Sequence, residues 1–119
     1  MYSAEVLDHF RNPRNAGEIS AADARAEIEN PACGDLLRLT LKLESNRIIQ
    51  ARFKAKGCVA AIACGSVLTE LVIGKTLAEA RVLRREQIDT ALGGLPQAST
   101  HAAQLAIDAL SAALGSYGT

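Results

Sequence analysis

Three short segments of this chain carry side chains that bind metals or act as nucleophiles: Cys33-Gly34-Asp35, Gly57-Cys58 and Ser99-Thr100-His101. Thiolate, carboxylate and imidazole are the donors from which zinc sites and small iron–sulfur sites are built. Cys33 and Asp35 are separated by one residue, so an extended backbone sends both side chains the same way, and Gly34 permits close approach to an ion. Cys58 stands where a helix begins, beside Lys56. The positive helix end and the ammonium together predict a thiolate there. His101 falls in the first turn of another helix, whose positive end disfavours imidazolium and leaves a ring nitrogen for a metal. Cys33, Asp35, Cys58 and His101 form a set of two sulfurs, one nitrogen and one oxygen. A carboxylate among ligands from separate segments suits a site that releases what it holds, since compact all-thiolate sites are usually structural.

A hairpin legible in the residues brings the first two segments together. Leu37, Leu39, Leu41 and Leu43 alternate with Arg38, Thr40, Lys42 and Glu44, and the alternation resumes as Ile49, Ala51, Phe53 and Ala55. This is the period of half-buried strands. A turn centred on Asn46 pairs 43 with 49, 41 with 51, 39 with 53 and 37 with 55, which puts every apolar pair on one face. Extending that register sets Asp35 opposite Gly57, with Cys33 and Cys58 just beyond. Adjacent strands lie about 4.8 Å apart, which is ligand distance.

The other elements follow from their own signals. Ser3 caps a helix running to about Phe10, with Phe10 and either Val6 or Leu7 as its buried face, stopped before Pro13. Residues near 24–30 supply a weak first strand ended by Pro31. A buried helix runs from Val59 to about Ile73 and closes at Gly74. Thr76 and Glu79 spell a capping box, and residues near 86–92 form another short helix. Gly93-Gly94-Leu95-Pro96 breaks the chain before a last helix from about Thr100 to Leu114. The fold class is therefore α+β, a three-stranded antiparallel sheet with helices packed on one face, in a single domain spanning residues 1–119. Cys64, six residues after Cys58, is turned by about 240° and raised by about 9 Å on an ideal helix. It reads as a small core hydrophobe, with persulfide acceptance from Cys58, or ligation if the helix starts later, as its alternatives. His9 reads as structural or surface.

Composition excludes several functions. The chain has 119 residues, 13 basic and 13 acidic, so no nucleic-acid footprint or polybasic membrane surface is expected. Two Phe, two Tyr and no Trp give no platform for stacking bases. No apolar run reaches the length of a membrane span. Three cysteines, an odd and sparse set, and an N-terminus without a basic, apolar-cored leader predict a cytoplasmic protein.

The residues also carry a resemblance covering nearly the whole chain. Tyr2-Ser3, Asp8-His9-Phe10, Asn12-Pro13-Arg14-Asn15-Ala16-Gly17, Pro31-Ala32-Cys33-Gly34-Asp35, the run Ala51 to Cys58, Ala60-Ala61-Ile62-Ala63, Thr69-Glu70, Gly74-Lys75, Leu95-Pro96 and His101 resemble the iron–sulfur cluster assembly scaffolds of the IscU type, equivalent to the N-terminal domain of NifU. The resemblance implies a non-enzymatic scaffold and carrier. On it a [2Fe-2S] cluster is built from iron and from sulfur delivered by a cysteine desulfurase, then handed to recipient proteins. It implies Cys33, Asp35, Cys58 and His101 as site residues, with Zn2+ in the cluster-free form, and a monomer or weak dimer. The chain departs from the family in two places. Ala102 stands where the family has a third ligand cysteine, the usual receiver of persulfide sulfur. Leu95-Pro96-Gln97-Ala98-Ser99 keeps only the first two residues of the stretch read by an Hsp70-type chaperone. The spacing from Cys58 to His101 leaves no room for the roughly twenty-residue insertion of the zinc-dependent SufU branch. Ala102 thus motivates alternatives, a zinc-bound regulatory pseudo-scaffold or a sulfur-relay partner of the desulfurase.

Overall fold

The computed structural model describes residues 1–117, and its elements follow in the order α1 (Ala4–Arg11), β1 (Ala24–Asn30), β2 (Asp35–Glu44), β3 (Arg47–Lys56), α2 (Val59–Val72), α3 (Leu77–Arg81), α4 (Arg85–Ala91) and α5 (Thr100–Ser116). The strands form one antiparallel sheet in the order β1-β2-β3. Their alternation buries Leu37, Leu39, Leu41, Ala51 and Phe53 on one face, against α2 over β3 and α5 over β1 and β2. The helix face of the sheet is thus the core, as the α+β reading requires. The opposite face carries ion pairs among Glu18, Glu27, Arg38 and Lys54.

The β2–β3 register agrees with the sequence at 37↔55, 39↔53 and 41↔51, and departs from it at the closed end. Ser45 and Asn46 adopt φ of +53° and +63°, a two-residue loop of the I′ type, whose twist matches that of the flanking strands. The shorter loop pairs Leu43 with Ile48 in place of Ile49, and a bulge beside Lys42/Leu43 absorbs the difference. Ile48 is consequently fully buried, while Ile49 is exposed.

A further expectation is corrected. In α1 the buried pair is Val6 and His9, and Phe10 faces solvent. A polar partner overrides periodicity here: His9 Nδ1 lies 2.7 Å from Ser66 Oγ, which also accepts from the Arg14 amide at 2.9 Å. Helix α2 is buried around most of its circumference, through Ala63, Cys64, Val67, Leu68 and Val72, whereas Ile62 and Leu71 are only half-buried. It approaches the sheet so closely that a Cβ on Gly65 would lie 2.5 Å from the Phe53 ring and 2.9 Å from Leu37.

The caps are where the sequence places them. Ser3 Oγ accepts from the Val6 amide and also bonds the Leu92 carbonyl, tying α1 to the end of α4. Gly74, with φ +92°, follows the α2 C-cap, and the Thr76/Glu79 capping box is complete. The free edge of β3 is partly covered by two loops. Asn15 and Gly17 bond Phe53 through the backbone, and Gly74 and Lys75 bond Ile48.

Candidate metal centre

Three side chains from three corners of the fold converge on one carboxylate. Asp35 opens β2, and its side chain is 5% exposed. Cys58 is the N-cap of α2, its Sγ 3.4 Å from the Ala61 amide and 3.3 Å from Asp35 Oδ2. The Cys58 backbone amide donates to Asp35 Oδ1 at 3.2 Å. His101, in the first turn of α5, brings Nε2 to 3.3 Å from the same Oδ2. Donor atoms of Cys33, Asp35 and His101 all lie within 4.8 Å of one another. Atoms about 2.0–2.3 Å from one ion are at most about 4.6 Å apart, so this trio stands close to coordination distance. Cys58 joins the cluster through Asp35, and it is not one of the mutually close trio.

Local chain geometry explains the convergence. The turn between β1 and β2 holds only residues 31–34, since Asn30 pairs with Asp35. The Gly34 amide bonds back to the Asn30 carbonyl at 2.7 Å, with Gly34 at φ +75°. Cys33 is therefore an exposed turn residue, and its proximity to Asp35 comes from the tight turn and the positive φ at Gly34. The expectation that an extended segment aligns the two is overturned. Across the hairpin, Asp35 faces Gly57, as the register requires. A Cβ on Gly57 would lie 2.1 Å from Asp35 Oδ1, and its φ of +139° favours glycine independently. Sequence reading missed that role, although a glycine directly opposite a buried carboxylate was the available signal.

The electrostatics correct a second expectation. The Cys58 thiol is pushed up from its ordinary value by burial first, and by hydrogen bonding to Asp35, against the lowering influence of the Ala61 and Ala60 amides. Without a metal, Cys58 is a protonated donor to Asp35 and not a thiolate prepared by the helix end. At this helix start, desolvation and a neighbouring carboxylate outweigh the dipole. Burial also pushes the Asp35 carboxyl upward, but bonds from the Cys58 thiol and amide, with Cys33 and His101, outweigh it and hold the group below its usual value. Shared protons thus hold these side chains together where a cation would sit between the same donors.

The remaining candidates separate from this cluster. Cys64 is fully buried in the core, and burial pushes its thiol up to about 12. Ala102 is also in the core. Ser99, beside the histidine, is buried at the end of a 3-10 turn spanning Gln97–Ser99.

Comparisons with known proteins extend the geometry. The family model described as "NifU-like N terminal domain" matches residues 1–119. The chain is 47% identical over 117 residues to the iron-sulfur cluster assembly scaffold protein IscU 1 of Archaeoglobus fulgidus, covering 98% of this chain and 76% of the relative. To the iron-sulfur cluster assembly scaffold protein IscU of Haemophilus influenzae it is 42% identical over 120 residues, covering 98% and 94%. Among solved structures, the N-terminal NifU-like protein of Brucella abortus superposes with a TM-score of 0.78 at 21% identity, covering 96% of this chain and 92% of the other, a likeness of fold.

Proposed function

This chain belongs to the NifU-like N-terminal domain family, and on that premise we propose that it is a scaffold and carrier whose cargo is an iron–sulfur cluster of the [2Fe-2S] type. The observation that carries this reading is the convergence of Cys33, Cys58 and His101 on Asp35. Two thiols, an imidazole and a carboxylate supply four ligands, as many as two tetrahedral irons need outside their bridging sulfides. Loading replaces thiol protons with iron and releases them to solvent, because Asp35, held below its usual value, stays a carboxylate and serves as a ligand. Asp35 is the weakest-bonding donor of the set for iron, and so the natural exit position. In the cluster-free form the same four groups suit Zn2+.

On this reading the protein works by holding and releasing its cargo rather than by turning over a substrate. Sulfur comes from a cysteine desulfurase and the cluster leaves to recipient proteins, as for the scaffolds that this chain resembles. Engagement of an Hsp70-type chaperone is reduced by the altered stretch after Leu95-Pro96.

One observation favours a second reading. Ala102 leaves α5 without a thiol next to His101 and is 1% exposed, so zinc held in a pseudo-scaffold is the alternative. The sulfur-relay version is disfavoured, because Cys64 is sealed in the core and cannot resolve a persulfide on Cys58. Anaerobic native mass spectrometry, as purified and after iron, sulfide and thiol treatment, separates the two readings. A mass gain of two irons and two sulfides per chain or per dimer establishes the scaffold. A single zinc that resists replacement overturns it in favour of the pseudo-scaffold.

A further inference from the structure

Away from the metal centre, the turn from α3 into α4 and the long helix α5 enclose a groove of about 690 Å3. Its α5 wall runs from Gln104 to Gly115, which at the helical rise is about 16 Å, or three turns. The floor is aliphatic, made by Leu83, Leu110 and Leu114, all buried, with Ile107 half-buried beside them. The opposite wall carries three arginines, Arg81, Arg84 and Arg85, against one acidic residue, Glu86, all exposed. Among the described residues Arg81 and Arg84 form no ion pair, and Arg85 has only Glu86 at 3.8 Å. The α5 wall contributes the uncharged Gln104 and Ser111. Val82, 70% exposed, stands at the rim between the arginines.

On a chain whose net charge is zero, a one-sided row of arginines over an aliphatic floor has a definite complement. We propose that this groove is a docking site for an acidic amphipathic helix of a partner protein. Aliphatic side chains one turn apart fill the floor, and carboxylates on the neighbouring face reach the guanidinium groups. The length of the groove fits about three turns of helix, the usual span of such recognition. Guanidinium favours this pairing over ammonium because its planar fork takes carboxylates two oxygens at a time. Arginine is also among the residues that dominate binding energy at interfaces. The near end of the groove, Gln104, is one helical turn from His101, so an occupant lies close to the metal centre without using its ligands.

The test uses the purified chain and a synthetic, helix-capped peptide of about three turns with two leucines four residues apart flanked by glutamates. Amide NMR shifts and calorimetry are recorded against it, against a copy with lysine for glutamate, and against anionic phospholipid vesicles. The expected result is binding of the acidic peptide alone, with shifts confined to residues 80–86 and 104–115, weakening as salt rises. Affinity falls by about tenfold or more in the Arg81→Glu, Arg84→Glu double variant. Val82→Asp, a second exposed position, weakens binding while the circular dichroism of both variants stays that of the parent. Equal binding of the lysine peptide, shifts outside the groove, or no binding at millimolar peptide overturns the proposal. Binding of the vesicles in place of the peptide makes this a membrane-facing surface and overturns it too, as does closure of the groove by self-association. None of these results depends on whether the metal centre takes up a cluster.

Discussion

Asp35 is the centre of the candidate site, because its buried carboxylate meets the Cys58 thiol, the Cys58 amide and the His101 imidazole. Replacing it with alanine removes an acceptor and a negative charge that raise the Cys58 thiol. Asp35→Ala therefore lets Cys58 ionise at lower pH, seen as faster alkylation by iodoacetamide at neutral pH in the metal-free protein. If the cluster leaves through the carboxylate position, the same variant holds reconstituted cluster longer than the parent, followed by visible absorbance under acceptor or air. An unchanged or shorter lifetime would discard Asp35 as the exit ligand. Gly57→Ala tests the same point from across the hairpin. Its Cβ collides with the carboxylate and its positive φ is unfavourable, so a loss of about 1–3 kcal/mol in chemical denaturation is expected. Weaker zinc binding in a competition titration should accompany it.

At the level of elements, α2 is the piece that most others are fitted to. Gly65 sets its distance from the sheet. Gly65→Ala gains about 1 kcal/mol of helix propensity but forces Phe53 and Leu37 aside, at about 1–3 kcal/mol. A net loss of stability in thermal unfolding is expected, and a more stable variant would show that the helix backs off easily. His9 ties α1 and the following loop to α2. Burial and Arg14 lower its pKa from the ordinary 6.5, against Glu70 and Asp8, which raise it. With the folded value below the unfolded one, the unfolded chain takes up the proton first as pH falls. The stability from neutral His9 is thus full above about pH 6.5 and declines below it. Melting temperatures of the parent and His9→Gln, compared across that window, should converge as the pH drops. Parallel curves would mean that His9 titrates alike in both states.

For the whole molecule, the candidate metal centre is a junction between segments far apart in sequence: the β1–β2 turn, the corner between β3 and α2, and the start of α5. An ion bound there crosslinks all three. Stability should therefore rise with ligand concentration, by about 2.7 kcal/mol when free zinc is a hundredfold above its dissociation constant. Calorimetry with zinc and then with a chelator reads this directly. A melting temperature indifferent to both would argue against a shared ion at the four residues.

The sequence alone determined much of this protein, because its strongest signals are local. Leucines alternating along 37–43, the Thr76/Glu79 box and glycine after α2 each need only neighbouring residues, and each appears in the structure as read. That Cys33, Asp35, Cys58 and His101 gather at one place was legible as well, since thiol, carboxylate and imidazole stand out in an aliphatic chain and the hairpin register sets Asp35 against Gly57. Tertiary structure decided the rest. Ile48 rather than Ile49 entered the core because a two-residue turn is compensated by a bulge further along the strand. His9 displaced Phe10 from the interior because Ser66, distant in sequence, supplies its hydrogen bond. Cys58 became a protonated donor because burial and Asp35 outweigh the helix end. Desolvation and long-range partners depend on the whole fold, whereas period and cap depend only on the adjacent chain.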